Sequence, residues 1–262
     1  MKIELLIIDP QYDFCNPSGS LFVKGADKDM IRLTDFITRA KNKLDDIHVT
    51  LDSHHYVDVA HPIFWVDSTG KNPNPFTIIS ADDVKNGLFR TTNPQMQGRS
   101  TDYVQQLQDN GRYPLCIWPP HCLIGSQGAI VVPELFDALI EWEKDFAMVD
   151  YVTKGSNFWT EHYSGVQADV PDPEDPDTQL NMRLIGTLQE ADMILLAGEA
   201  RSHCLANTVT DIADNFGEDN VKKMVLLEDA CADVEGFEQQ GANFVKTMTA
   251  RGMQISNTKD CL

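Results

Sequence analysis

Apolar residues along this 262-residue chain alternate between two patterns. Leu5 to Ile8, Ile47 to Leu51, Met193 to Ala197 and Lys223 to Leu227 are short, nearly continuous apolar runs. Such runs suit parallel strands buried on both faces. Phe146 to Thr153 and Met253 to Ile255 read as two further strands, and Leu115 to Trp118 as a short extended segment before two prolines. Between these runs, apolar positions return at helical spacing. Ile31, Leu33, Phe36, Ile37, Ala40 and Leu44 predict a helix from Asp29 to Leu44. Further helices are expected for Glu134 to Trp142, Met182 to Glu190, Cys204 to Asn215 and Gln239 to Ala250.

Strands alternating with helices predict an α/β fold: one domain over residues 1–262, with a mostly parallel central sheet and helices on both faces. Two stretches depart from the alternation. Val66 to Pro114 is rich in Asn, Pro, Gly, Thr and Gln and reads as an irregular insertion, suited to a lid, a binding loop or an assembly element. Val170 to Thr178 reads as an acidic, proline-rich surface loop. Ligands of such sheets bind beyond the carboxyl ends of the strands. Asp9, Asp52, Lys154 and the Gly198 turn all follow predicted strands, which makes them the first candidates for chemistry.

Cys204 follows the turn Gly198-Glu199-Ala200-Arg201-Ser202-His203 and opens a helix. A helix N-terminus favours a thiolate, and its free N–H groups can hold an oxyanion. Asp9 could accept the thiol proton, and Lys154 could lower both pKa values. Taken singly, each has a plainer reading: a buried Cys, an Asp capping a loop, a surface Lys. A second group has metal-ligand character. Asp52-Ser53-His54 sets a carboxylate and an imidazole two residues apart, and His55, His61 and His121 follow. Mixed N and O ligands suit Zn, Fe or Mn, and three protein ligands leave positions open for water or substrate. A lone His is more often a satisfied hydrogen-bonder, so this reading rests on the group. Trp118, ahead of Pro119-Pro120-His121, is either structural or an aromatic platform for a flat substrate.

Composition narrows the partners. Forty acidic residues against 21 basic ones set a formal charge of −19, which argues against nucleic acid or an anionic membrane. No apolar run approaches the ~20 residues of a membrane span, and the N-terminal run is too short for a signal peptide; a cytoplasmic location is expected. The six cysteines contain no Cys-x-x-Cys pair. Cys15, Cys116, Cys122, Cys231 and Cys261 read as small buried thiols.

Five blocks then carry a resemblance. They are Asp9-Pro10-Gln11-Tyr12-Asp13-Phe14-Cys15 with Gly19-Ser20-Leu21; Asp52-Ser53-His54; Trp118-Pro119-Pro120-His121-Cys122; Lys154-Gly155 with Tyr163-Ser164-Gly165; and Gly198-x-Ala200-x-x-His203-Cys204. In these blocks, and in their order, the chain resembles the nicotinamidases of the isochorismatase-like cysteine hydrolases. The resemblance implies a Rossmann-like three-layer sandwich with an Asp9–Lys154–Cys204 triad. It also implies a cis Glu199–Ala200 peptide whose Ala200 N–H faces the oxyanion. It implies one divalent metal, Zn foremost and otherwise Fe or Mn, on Asp52, His54 and His121, with His61 as a further candidate. Phe14 and Trp118 would sandwich a pyridine ring whose nitrogen faces the metal, with Tyr163, Glu199 and His203 as further substrate contacts. Glu199 stands where the family usually carries a small or apolar residue. The implied activity is hydrolysis of nicotinamide to nicotinate and ammonia through a Cys204 thioester, in NAD salvage, with a small-molecule amide as partner and room for a homo-oligomer. Three other readings use the same residues. They are a related amidase acting on another small amide, a metal-hydroxide hydrolase with Cys204 incidental, and a catalytically silent small-molecule binding module.

Overall fold

The apolar runs become strands because each is buried on both faces. In β1 (Ile3–Ile8) all six residues are buried. Leu6 and Ile8 join an apolar cluster on one side of the sheet, and Ile3, Leu5 and Ile7 join a second cluster on the other. At about 1.5–3 kcal/mol per fully buried aliphatic side chain, this two-sided burial fixes the register at the sheet centre. The structure, a computed structural model describing residues 1–262, arranges six strands in one parallel sheet. They are β1, β2 (Asp46–Asp52), β3 (Asp150–Lys154), β4 (Met193–Gly198), β5 (Met224–Leu227) and β6 (Gln254–Ser256), in the spatial order β6-β5-β4-β1-β2-β3. The chain builds outward from β1 through β2 to β3, then returns to the other side of β1 for β4. The switch between β1 and β4 opens a crevice at their carboxyl ends, where ligands of open α/β sheets bind.

Helices cover both faces. Helices α1 (Ala26–Ala40) and α3 (Pro133–Glu143) supply the cluster on the side of Leu5 and Ile7. Helices α2 (Gln97–Asn110), α4 (Met182–Gln189), α5 (Cys204–Phe216) and α6 (Glu238–Ala250) supply the one on the side of Leu6 and Ile8. The predicted mostly parallel α/β sandwich is therefore the fold. No helix is long and apolar enough to cross a membrane.

Three local expectations change. The first helix starts at Ala26, behind Gly25, and gives way after Ala40 to a 3₁₀ turn. The strand expected from Phe146 begins only at Asp150: Phe146 has φ 62° in the turn after α3 and is fully exposed. Residues 66–114, expected to be irregular, hold helix α2 and a short helix at Ala81–Lys85 closed by a Ser80/Asp83 capping box. They also pair Trp65–Asp67 with Phe89–Thr91, and Ile78–Ile79 with Leu115–Cys116. In α2 only Tyr103, Val104 and Leu107 join the core, so one narrow stripe hides in a polar helix. The acidic loop packs against this region: Asp172 pairs with Arg99, and Asn157 Nδ2 donates to Asp172 at 3.1 Å and Asp175 at 2.9 Å.

A buried ionic chain ties the amino ends of three strands. His48 on β2 contacts Glu4 of β1 at 3.3 Å through Nε2 and Asp150 of β3 at 3.0 Å through Nδ1, while Lys2 reaches Glu4 at 2.7 Å. Glu4, Asp46 and His48 lie as close together as cation ligands do. Both imidazole nitrogens nevertheless face carboxylates already, and Lys2 supplies the positive charge. Burial opposes the imidazolium, but Glu4 and Asp150 outweigh it and raise the His48 pKa. A raised pKa contributes stability that is complete below the unfolded value, near ~6.5, and is lost as pH rises through the folded one. His48→Leu is therefore expected to lower the urea-unfolding free energy by about 3 kcal/mol at mildly acidic pH, the scale of a broken buried pair. The deficit should shrink at alkaline pH; a deficit constant across that range would show that His48 acts through packing alone.

Candidate active site

Four neighbouring strands each deliver one residue to the crevice: Cys204 after β4, Asp9 after β1, Asp52 ending β2 and Lys154 ending β3. Lys154 Nζ lies 3.0 Å from Asp9 Oδ2, 3.1 Å from Asp52 Oδ1 and 3.7 Å from Cys204 Sγ, and donates to the His162 carbonyl at 2.9 Å. All four side chains are buried. Thr50, on β2, holds Asp9 twice: it accepts from the Asp9 N–H at 3.0 Å and donates to Oδ1 at 2.5 Å. Gln11 brackets Asp52, accepting from its N–H at 2.7 Å and donating to its carbonyl at 2.6 Å.

Two glycines are demanded by this crowding. At Gly198 a Cβ would stand 2.1 Å from the Ile8 carbonyl oxygen, and at Gly155 it would stand 2.7 Å from Asp52 Oδ1. Both have positive φ, 107° and 83°. The Glu199–Ala200 peptide is cis, and the Ala200 carbonyl accepts from the N–H groups of His203 at 3.0 Å and Leu205 at 3.1 Å.

The electrostatics are those of a thiol held with its proton. Burial pushes the Cys204 thiol well up; Lys154 opposes that, while Asp9, by charge and by a side-chain hydrogen bond, and Asp52 add to it. The pull of the helix N-terminus toward thiolate is thus outweighed: desolvation and two carboxylates act against one ammonium and a helix end. Burial also raises Asp9 against the pull of Lys154. Asp52 behaves oppositely. Burial would raise its carboxyl, but His54 and Lys154 together hold it well below the usual range.

On the far side of Asp52 three imidazoles gather. Ring centroids of His54 and His121 are 4.7 Å apart, and His61 lies 5.3 Å from the first and 5.6 Å from the second. Each Nδ1 meets an oxygen: Asp58 at 3.0 Å for His54, the Tyr56 carbonyl at 3.2 Å for His61 and the Pro119 carbonyl at 2.9 Å for His121. That leaves the Nε2 atoms for other work. Nε2 of His54 and of His121 lie 3.0 and 3.5 Å from Asp52 Oδ2, and Nε2 of His61 is buried without a partner. Oxygen on Nδ1 with Nε2 turned toward the other candidate ligands is the outer-shell arrangement of metal-bound histidine. Asp52, His54 and His121 bring their ligand atoms within 4.8 Å of one another. The donor set fits a divalent cation, with His61 beside it, neutral because burial pushes its pKa down to about 4. His55 is exposed and takes no part.

The cavity beside Cys204 is walled by Phe14, Trp118, Tyr163, His203 and Ala200, with His54 and His121 at its polar end. Trp118 Nε1 donates to the Tyr163 hydroxyl at 3.0 Å, and Phe76 of the 66–114 segment sets its ring 5.8 Å from Trp118, so that segment backs the cavity wall. Asp13 joins two parts of the wall, accepting from the N–H groups of Ser20 at 3.0 Å and Cys122 at 2.7 Å. Glu199, expected to touch substrate, does not line the cavity. It is fully buried behind the turn, where its carboxylate accepts from the Ala232 N–H at 3.0 Å. Burial and Asp29 push its pKa well up. Sequence reasoning passed over Glu161 and His162, which also line the cavity. The signal was adjacency, since both directly precede the Tyr163-Ser164-Gly165 block.

No family model and no curated protein matches the chain by sequence. Solved structures do match along nearly its whole length. The yeast nicotinamidase bound to the inhibitor nicotinaldehyde superposes with a TM-score of 0.68 at 17% identity, covering 97% of this chain and 99% of that one. A nicotinamidase/pyrazinamidase from Acinetobacter baumanii gives 0.67 at 20%, covering 100% and 98%. The pyrazinamidase of Pyrococcus horikoshii in complex with zinc gives 0.59 at 19%, covering 98% and 99%. At such identities what is shared is the fold, and it is the fold of these amidases.

The opposed charges on Cys204 make a testable pair. Asp9→Asn removes a group that raises the thiol pKa and is expected to speed alkylation by iodoacetamide at neutral pH; Lys154→Met is expected to slow it, by about tenfold per unit of pKa. Rates that move together, or the other way round, would contradict this arrangement.

Proposed function

We propose that the chain is an amidohydrolase that cleaves nicotinamide to nicotinate and ammonia through a covalent Cys204 thioester. The observation that carries this reading is the single buried contact set in which Lys154 touches Asp9, Asp52 and Cys204 at once. A silent binding module has no use for a buried ammonium between two carboxylates and a thiol. The structural likeness to nicotinamidases and pyrazinamidases points the same way.

In this reading the flat amide lies between Phe14 and Trp118 with its carbonyl carbon at Cys204. Asp9 accepts the thiol proton as sulfur bonds to that carbon, so no free thiolate need be stored beforehand, which agrees with the raised thiol pKa. Lys154 favours the ionised form of Asp9 and offsets the negative charge that accumulates. The carbonyl oxygen takes the electron pair and is held by N–H groups of the Ala200–Cys204 turn. Asp9 returns the proton to the nitrogen, and the C–N bond breaks to release ammonia and leave the thioester. Asp9 then takes a proton from water, whose oxygen attacks the acyl carbon. The C–S bond breaks, and Cys204 recovers its proton as nicotinate departs.

Asp52, His54 and His121 would hold a divalent cation, with zinc the first choice for this mixed N/O set. Bound there, the cation would supply a Lewis-acid contact for a ring nitrogen. Orientation of this kind is where several kcal/mol of barrier lowering can come from.

Ammonia release from a panel of small amides, nicotinamide included, tests the activity. Cys204→Ala is expected to fold normally and to retain less than about a thousandth of wild-type turnover, as befits loss of a nucleophile. A folded variant retaining a tenth would leave a metal-activated water as the better account.

Elemental analysis of protein purified without chelator is expected to find one divalent ion per chain. His54→Ala is expected to lower both metal content and amide affinity by at least about tenfold, since even the outer-shell partners of metal ligands contribute that much. Metal-free protein with full activity, indifferent to added Zn, Fe or Mn, would remove the cation from the account.

A further inference from the structure

His162 is gripped at one nitrogen and left open at the other. The Gly155 N–H donates to its Nδ1 at 3.3 Å, which puts the ring proton on Nε2. Burial, reinforced by the charge of Lys154, pushes the imidazole pKa down to about 3, so the ring stays neutral. Nε2–H is therefore a fixed donor at every working pH. It is buried with no protein partner, on a residue only 7% exposed that lines the same cavity as Cys204 and Trp118. An unpaired buried donor is costly, and a cavity wall is where a ligand can remove that cost.

We propose that His162 is a specificity-determining residue whose Nε2–H donates a hydrogen bond to an acceptor atom of the bound amide. The inference rests on the amidase reading of this cavity and adds to it a contact outside the triad and the cation site. The two halves of the residue have separate tasks. Its backbone carbonyl accepts from Lys154 Nζ at 2.9 Å and its Nδ1 from Gly155, so this side seats the lysine at the end of β3. Its Nε2 side faces substrate.

Chemistry allows the halves to be separated. In His162→Asn the side-chain oxygen occupies the place of Nδ1 and can still accept from Gly155, while the amide nitrogen stops short of where Nε2 was. In His162→Phe both contacts go. With nicotinamide as probe, His162→Asn is expected to raise KM about five- to tenfold, the value of one neutral hydrogen bond, with kcat and its pH profile unchanged. Calorimetry in a Cys204→Ala background should show the same factor in Kd. His162→Phe should lower kcat as well, because the Gly155 N–H beside Lys154 loses its acceptor while the backbone carbonyl of residue 162 stays; thermal melts check that both variants fold. KM and Kd unchanged in His162→Asn would overturn the proposal, and so would a change confined to kcat and the pH profile, which would leave a positioning role only. A wild-type protein that neither binds nor hydrolyses nicotinamide would overturn the amidase reading along with it. Hydrolysis with an indifferent His162→Asn would overturn His162 alone.

Discussion

The site depends on one buried ammonium. Removing a lysine charge from water costs several kcal/mol even after the protein relaxes, and Lys154 is almost fully enclosed. Asp9 and Asp52 offset that cost, and they can do so only because three adjacent strands end level with one another. Much of the neighbouring structure serves this arrangement. Gly155 lacks a Cβ because Asp52 occupies the space, Thr50 fixes Asp9, and Gln11 fixes Asp52. Asp52 is shared, with one oxygen facing the lysine and the other facing the imidazoles. The Cys204 side and the histidine side of the crevice are thus one electrostatic unit, and neither can be altered without moving the other.

That sharing explains a division of labour between carboxylates of the same type. Asp52, facing cations on both sides, is held ionised. Asp9 meets one cation and a thiol in a fully buried setting, which raises its proton affinity. Environments that push two like groups apart are a common way to assign a spectator and a proton carrier. In the mechanism proposed above, the carrier is the one beside sulfur.

The strand–helix alternation was readable because two-sided burial writes continuous apolar runs into the chain, and positions at strand ends then followed from the fold class. Asp9, Asp52, Lys154 and Cys204 could be nominated in that way before any contact was known. The inner structure of residues 66–114 was not readable, because Tyr103, Val104 and Leu107 are too few to mark a helix and the short strands there are only two or three residues long. Glu199 was misjudged for a different reason. Neighbours along a turn point to opposite sides, and a carboxylate next to a catalytic turn reads as a ligand contact unless its burial is known. His162 was missed because its value lies in which nitrogen carries the proton, and that is decided by Gly155, seven residues earlier.

Strand β3 lies at the rim of the sheet and pairs only with β2. It is anchored by charge at both ends: Asp150 to His48 and Arg183 at one, Lys154 to Asp52 and Asp9 at the other. Asp150 and Asp52 both have depressed pKa values, so what they contribute is present at neutral pH and is lost as acid protonates them. Acid therefore loosens this strand from both ends while the two-sided apolar core still holds β1 and β4. Loosening it uncovers, along β2, a row of backbone donors and acceptors on which another chain can add a strand.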